Sequence, residues 1–294
     1  MLEIPMPNMQ NIKTKLDSVS NMKQLFNSME SSDFEKLKKV ENQVVNFKSF
    51  MEDFLWILWS VDLNSFRNRN INSVWKKLIL VFSTDKGFCW DYNYKLFKRV
   101  FNEYSDDIEN IDVFCVWKRS FEFFAKKWFN IVGYLKIADE FWSQDLSEVY
   151  DYFVSGVANN TYSDISLYLN IYKNNLNSKI VNYNVYPIDD TSLSTFVTNL
   201  WLDLSKFSAV EWLSLWVDSQ EFKIEMEKQL IQYMLYGAAL QNKVAELKSR
   251  ISVLQNVKNN SEYVVKDLKL SFNRLCQSLL TREVSSIMEL KTSC

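Results

Sequence analysis

The sequence predicts an all-α fold: an elongated multi-helix bundle of three or four long helices that ends in a C-terminal helical hairpin or coiled-coil segment. Three observations predict it. Gly and Pro are scarce, 4 and 3 of 294 residues, and a β-rich chain of this length uses both in its tight turns. Hydrophobic residues make up 47% of the chain, with 21 Phe, 14 Tyr and 10 Trp, enough for a broad core. Three segments repeat apolar residues at alternating intervals of three and four, which places them on one helical stripe.

The first stripe is Leu37, Val40, Val44, Phe47, Met51, Phe54, Leu58 and Val61. Ser32-Asp33 supplies its start signal. Around Phe54–Trp59 the segment becomes apolar on all sides, so neighbouring helices should enclose it. The second stripe runs Phe114, Trp117, Phe121, Phe124, Trp128, Ile131, Leu135, Ala138, Trp142. The third runs Met226, Leu230, Tyr233, Gly237, Leu240, Val244, Leu247, Ile251, Leu254. Each would form a helix of about 30 residues, roughly 45 Å long.

Between the stripes the signals are shorter. Lys86-Gly87 reads as a turn, residues 144–180 as shorter helices, and Val181, Tyr183 and Val185 alternate as an extended segment before Pro187. Another helix is expected over Leu193–Leu204. Capping patterns at Ser208–Glu211 and Asp218–Glu221 bracket a short Trp-rich helix. The third helix should break near Lys258–Ser261, before a last one carrying Val264, Leu268, Phe272, Leu275 and Leu279. This gives three regions: an N-terminal arm and amphipathic helix (1–32), an aromatic-rich helical domain (33–190), and a C-terminal helical domain (191–294) with a heptad segment at 226–254.

In that segment Val244 and Ile251 fall at heptad position a, and Leu240, Leu247 and Leu254 at d, the preferred core of a parallel dimer. These five residues are the candidate partner interface, within a C-terminal region, 240–290, expected to bind a partner or a second copy. Lys243 at g would face Lys248 at the following e of the second chain in such a dimer, and this like-charge pairing disfavours it. Packing inside the chain, against residues 33–63 or 261–290, is therefore the preferred expectation.

The chemistry most enzymes use is missing. There is no histidine, which removes the commonest general base and metal ligand. The four glycines are isolated from one another, so no phosphate-cradling loop can form. Cys89, Cys115, Cys276 and Cys294 lack metal-ligand spacing, and read as free thiols of a reducing compartment. Ser20–Lys23 matches SxxK without its companion motifs. The acidic run 105–112 has neither the glycine nor the spacing of a calcium loop, and Asp139, Glu140, Asp145 and Glu148 offer only a loose acid–base grouping. No catalytic residue, cofactor, metal or small-molecule ligand is predicted.

Two alternatives stand beside the leading expectation. Lys118, Arg119, Lys126 and Lys127 interleave with aromatics over 116–129 and form the best nucleic-acid candidate. The formal net charge of −2 supplies no general field for nucleic acid, and the helical stripe would turn those aromatics inward. A membrane-active, pore-forming helical protein is the other alternative, although no apolar run reaches the roughly 20 residues needed to span a bilayer. The N-terminus lacks signal-peptide character, so a cytoplasmic location is expected. The Asn, Lys, Ile and Phe bias fits an AT-rich genome, that of a virus, a parasite or some bacteria equally, so a viral protein in a host cell or virion is a further expectation. The leading expectation is a non-enzymatic structural or interaction protein: a scaffold, assembly subunit or regulator.

Overall fold

In the computed structural model the described residues are 9–59, 76–174, 177–188, 190–200, 202 and 220–292. They form α1 (Met9–Trp59), β1 (Lys77–Phe82), α2 (Trp90–Tyr104), β2 (Ile111–Val116), α3 (Lys118–Ala125), β3 (Asn130–Leu135), α4 (Ser147–Ala158), β4 (Asp164–Asn174), β5 (Asn177–Tyr186), α5 (Asp190–Asn199) and α6 (Gln220–Thr292). The expectations for the Trp-rich segment and most of its caps lie outside the described residues. The chain divides into two compact units, Met1–Phe34 with Ile251–Cys294, and Glu35–Arg250.

The all-α expectation is overturned by a five-stranded sheet in the order β3-β2-β1-β4-β5. β1 pairs in parallel with β2 and β4, and β2 with β3, while β5 returns antiparallel to β4. The turn-poor composition misled because helices connect the parallel strands, and a helical crossover needs no tight hairpin. β1 and β2 are buried almost throughout. Strands covered on both faces read as continuous apolar runs, which periodicity alone cannot tell from buried helix.

The second stripe dissolves for a related reason. Phe114 belongs to β2, only residues 118–125 are helical, and Ile131 and Leu135 belong to β3. The breaks fall at Trp117 (φ 75°) and Trp128 (φ 64°). Left-handed backbone is where glycine is expected, so tryptophan there hid both boundaries.

Successive side chains alternate between the two faces of the sheet. Ile79, Val81, Ile111, Val113 and Cys115 meet Leu96, Phe97 and Val100 of α2 and Phe124 of α3. On the opposite face, Phe114 packs against Tyr152 of α4, ring centroids 5.8 Å apart. Asp112, the last residue of the acidic run and the second of β2, is buried and accepts from Asn130 (2.7 Å), Tyr162 (2.9 Å) and Lys76 (3.3 Å).

The third stripe, and the first from Leu37 to Leu58, are helical as their spacing predicts, while Val61 lies outside the described residues. α1 runs unbroken through Ser32-Asp33, and α6 through Lys258–Ser261. In the larger unit the two helices run antiparallel across an aromatic seam. Phe47 meets Tyr236 at 5.3 Å, and Phe50 and Phe54 each meet Tyr233 at 4.8 Å. Gly237 permits this approach, because a Cβ there would lie 2.7 Å from the rings of Phe47 and Phe196. Met51, Phe54, Leu55 and Leu58 are buried, as expected of the apolar run, whereas Trp56 and Ile57 are exposed.

The smaller unit is also an antiparallel helix pair. Lys23 pairs with Glu262 at 2.8 Å, and Glu30 accepts from Gln255 (3.0 Å) and Lys258 (3.5 Å). The helix continues past Asn259-Asn260 because packing along its length outweighs two weak helix formers.

Candidate assembly surfaces

The polar chemistry of the larger unit gathers where α6 crosses the ends of the strands. Asp139, in the loop after β3, receives Lys86 from the loop after β1, Lys36 from α1 (3.0 Å) and Lys243 from α6 (3.1 Å). Lys243 also pairs with Glu246 at 3.2 Å, and both are buried. Burial alone would raise the Asp139 pKa. Hydrogen bonds from Lys86, Lys36 and Lys243 and the charge of Lys243 outweigh it and hold the carboxyl far below the ordinary carboxylate range. Lys86 is pulled down from its usual value, first by burial and then by the charge of Lys243, against the pull of Asp139.

Neutral bonds extend this clasp. Tyr92 Oη donates to Asn242 Oδ1 at 2.7 Å, Asn170 donates to the Tyr92 carbonyl at 3.2 Å, and Tyr183 Oη donates to Gln241 Oε1 at 2.7 Å. Gln241, Asn242, Lys243 and Glu246 are thus a buried polar segment of α6 held to the sheet domain. The heptad pattern concealed this, because the sequence marks these positions only as flanks of an apolar core.

The five candidate interface residues are all buried in the free chain: Leu240, Val244 and Leu247 in the larger unit, Ile251 and Leu254 in the smaller. Farther along α6 the exposure reverses. Leu279, Leu280, Val284, Ile287 and Met288 are 41–64% exposed, and at 100° per residue they occupy one half of the helix surface.

Lys118, Arg119, Lys126 and Lys127 are only partly brought together. Arg119 and Lys126 line one cleft with Phe97 and Phe123. Lys118 pairs with Glu122 at 3.4 Å, and Lys127 lies over the Phe101 ring at 4.8 Å. Of the aromatics expected to face inward, Phe124 and Trp117 are buried, while Phe121 and Trp128 are exposed, Trp128 at 89%. The loose acidic grouping does not assemble. Asp139 serves the clasp, Glu140 meets Lys39, and Asp145 accepts from the Trp142 N–H at 2.7 Å. Among the described residues no cluster of His, Cys, Asp and Glu is arranged to hold a metal, and no helix is long and apolar enough to cross a membrane.

Two long helices clamped to a sheet domain, with the charged groups bound to one another, make a structural frame. The chain matches the family model described as ATP synthase over residues 8–289 and belongs to that family. It is similar to the ATP synthase gamma chain of Amoebophilus asiaticus, 25% identical over 295 residues and covering 96% of this chain and 97% of that one. The gamma chain of Rickettsia canadensis is 23% identical over 297 residues, covering 96% and 98%. The fold resembles a chain of the Euglena gracilis mitochondrial ATP synthase OSCP/F1/c-ring structure, with TM-score 0.65, 12% identity, and 97% and 94% coverage. It also resembles a chain of the Tetrahymena thermophila mitochondrial ATP synthase central stalk, with TM-score 0.53, 14% identity, and 79% and 98% coverage. The protein is therefore gamma-chain-like and non-catalytic, the interaction role its sequence predicts. Nothing in these relatives supports a viral origin.

Proposed function

We propose that the chain is the central-stalk subunit of a rotary ATP synthase-type assembly, passing torque along α1 and α6 between partner subunits. The carrying observation is the Asp139 clasp, which ties α1 and α6 to the sheet domain within one compact unit. A transmitting element must not slip against its own domain, and part-buried charge-assisted bonds add a directional constraint to the apolar packing. The exposed apolar face at Leu279–Met288 supports the reading as a surface that partner subunits enclose. We place the chain in the aqueous compartment beside the coupling membrane, the cytoplasm in a bacterium.

The test is affinity purification of the tagged chain from its native cell. Other ATP synthase subunits should co-purify in stoichiometric amounts, and Leu280→Glu with Ile287→Glu should strip them away while leaving the isolated chain folded. Recovery of the wild-type chain alone would overturn the proposal.

A further inference from the structure

A cavity of about 390 Å³ opens in the larger unit between α1, the end of β4, α5 and α6, within the size range of small-ligand sites. Val44, Ile171 and Val244 line it with apolar surface. Gln241 lines it too and is only 7% exposed. Its orientation is set by a chain of bonds, Asn199 Nδ2 donating to Tyr183 Oη at 3.0 Å and Tyr183 Oη donating to Gln241 Oε1 at 2.7 Å. That arrangement leaves the Gln241 amide N–H groups without a hydrogen-bond partner. A buried donor with no acceptor is costly to the fold, and it is the kind of group that fixes a ligand's orientation in an otherwise apolar site.

The far end of the cavity is charged. Lys48, Lys248 and Glu41 line it. Lys248 is steadied by Glu41 at 2.9 Å and by the Tyr172 ring at 5.1 Å. Gln241, Val244 and Lys248 follow one another at intervals of three and four on α6, hence on one face, with the two polar ends roughly 10 Å apart.

We propose that this cavity binds a small amphipathic organic anion about 10 Å long. Its carboxylate lies at Lys248, its aliphatic body crosses Val244 and Ile171, and a carbonyl oxygen at its other end accepts from Gln241. Neither torque transmission nor subunit docking uses this cavity, so the inference stands apart from the proposed function.

The probes are 7-oxooctanoate and octanoate, matched in length but differing in the terminal carbonyl, titrated into the full chain by calorimetry. The wild type should bind 7-oxooctanoate about fivefold more tightly, the worth of one neutral hydrogen bond. Gln241→Leu should erase that preference while retaining octanoate, and Val44→Phe, which fills the cavity from α1, should abolish both. Gln241→Glu keeps an acceptor for Tyr183 but removes the donor, so it serves if Gln241→Leu fails to fold by circular dichroism, and it should bind the keto acid more weakly than the wild type does. Absence of saturation by either probe at millimolar concentration would overturn the proposal, as would a preference that survives both Gln241 variants.

Discussion

Replacing Asp139 with Asn removes the charge on which three lysines converge, and the structure sets how much stability is lost. Breaking a fully buried pair costs about 3–5 kcal/mol, but the Asp139 side chain is 34% exposed, so solvent screening reduces that figure. Lys243, the most buried of the three lysines, keeps Glu246 at 3.2 Å, whereas Lys36 and Lys86 are 33% and 25% exposed and can turn to water. About 2 kcal/mol is expected for Asp139→Asn at pH 7, and under 1 kcal/mol for Lys36→Met. Because the folded-state pKa of Asp139 is depressed, its contribution is complete above the unfolded pKa of about 3.9 and is lost as pH falls further. Urea unfolding of wild type and variant should therefore give a constant difference from about pH 7 to 5 that narrows below about pH 4. A difference within about 0.3 kcal/mol at pH 7, or one that persists unchanged at about pH 3, would refute the clasp.

Other predictions follow from single contacts. Gly237→Ala should cost about 1–3 kcal/mol by overpacking, because its Cβ meets the Phe47 and Phe196 rings and Phe196 is fully buried; an unchanged denaturation midpoint would contradict that crowding. Tyr183→Phe should cost about 1–3 kcal/mol, since both Asn199 and Gln241 lose their shared partner. Trp128→Gly should stabilise by about 0.5–1 kcal/mol, because the side chain is exposed and glycine tolerates φ 64°. Burial pushes the Cys89 and Cys115 thiols up to about 12, so peptide mapping after iodoacetamide treatment at pH 8 should show Cys276 modified well before either, with the order lost in urea.

Much of the helical framework was legible in the amino-acid order. The stripes Leu37–Leu58 and Met226–Leu254 mark helices because nothing interrupts their spacing, and the alternation at Val181, Tyr183 and Val185 marks β5. The preference for packing the third stripe inside the chain is met by Tyr233 and Tyr236 against α1. The clasp was not legible. Asp139 and its lysines are separated by 53 to 104 positions, and no local pattern distinguishes them from a charged surface.

The sequence by itself determined that the chain carries long amphipathic helices and has neither histidine nor clustered glycines. Only the tertiary structure decided that the chain between the two long helices forms a mixed five-stranded sheet. Strands such as Lys77–Phe82 are six residues long and buried on both faces, so their side chains show no alternation, and their identity comes from hydrogen bonds to strands more than 30 residues away. The heptad posed the same problem. Spacing places Leu240 and Leu247 on one face, but whether that face meets a second copy or its own α1 depends on how the chain folds back, which only long-range packing specifies.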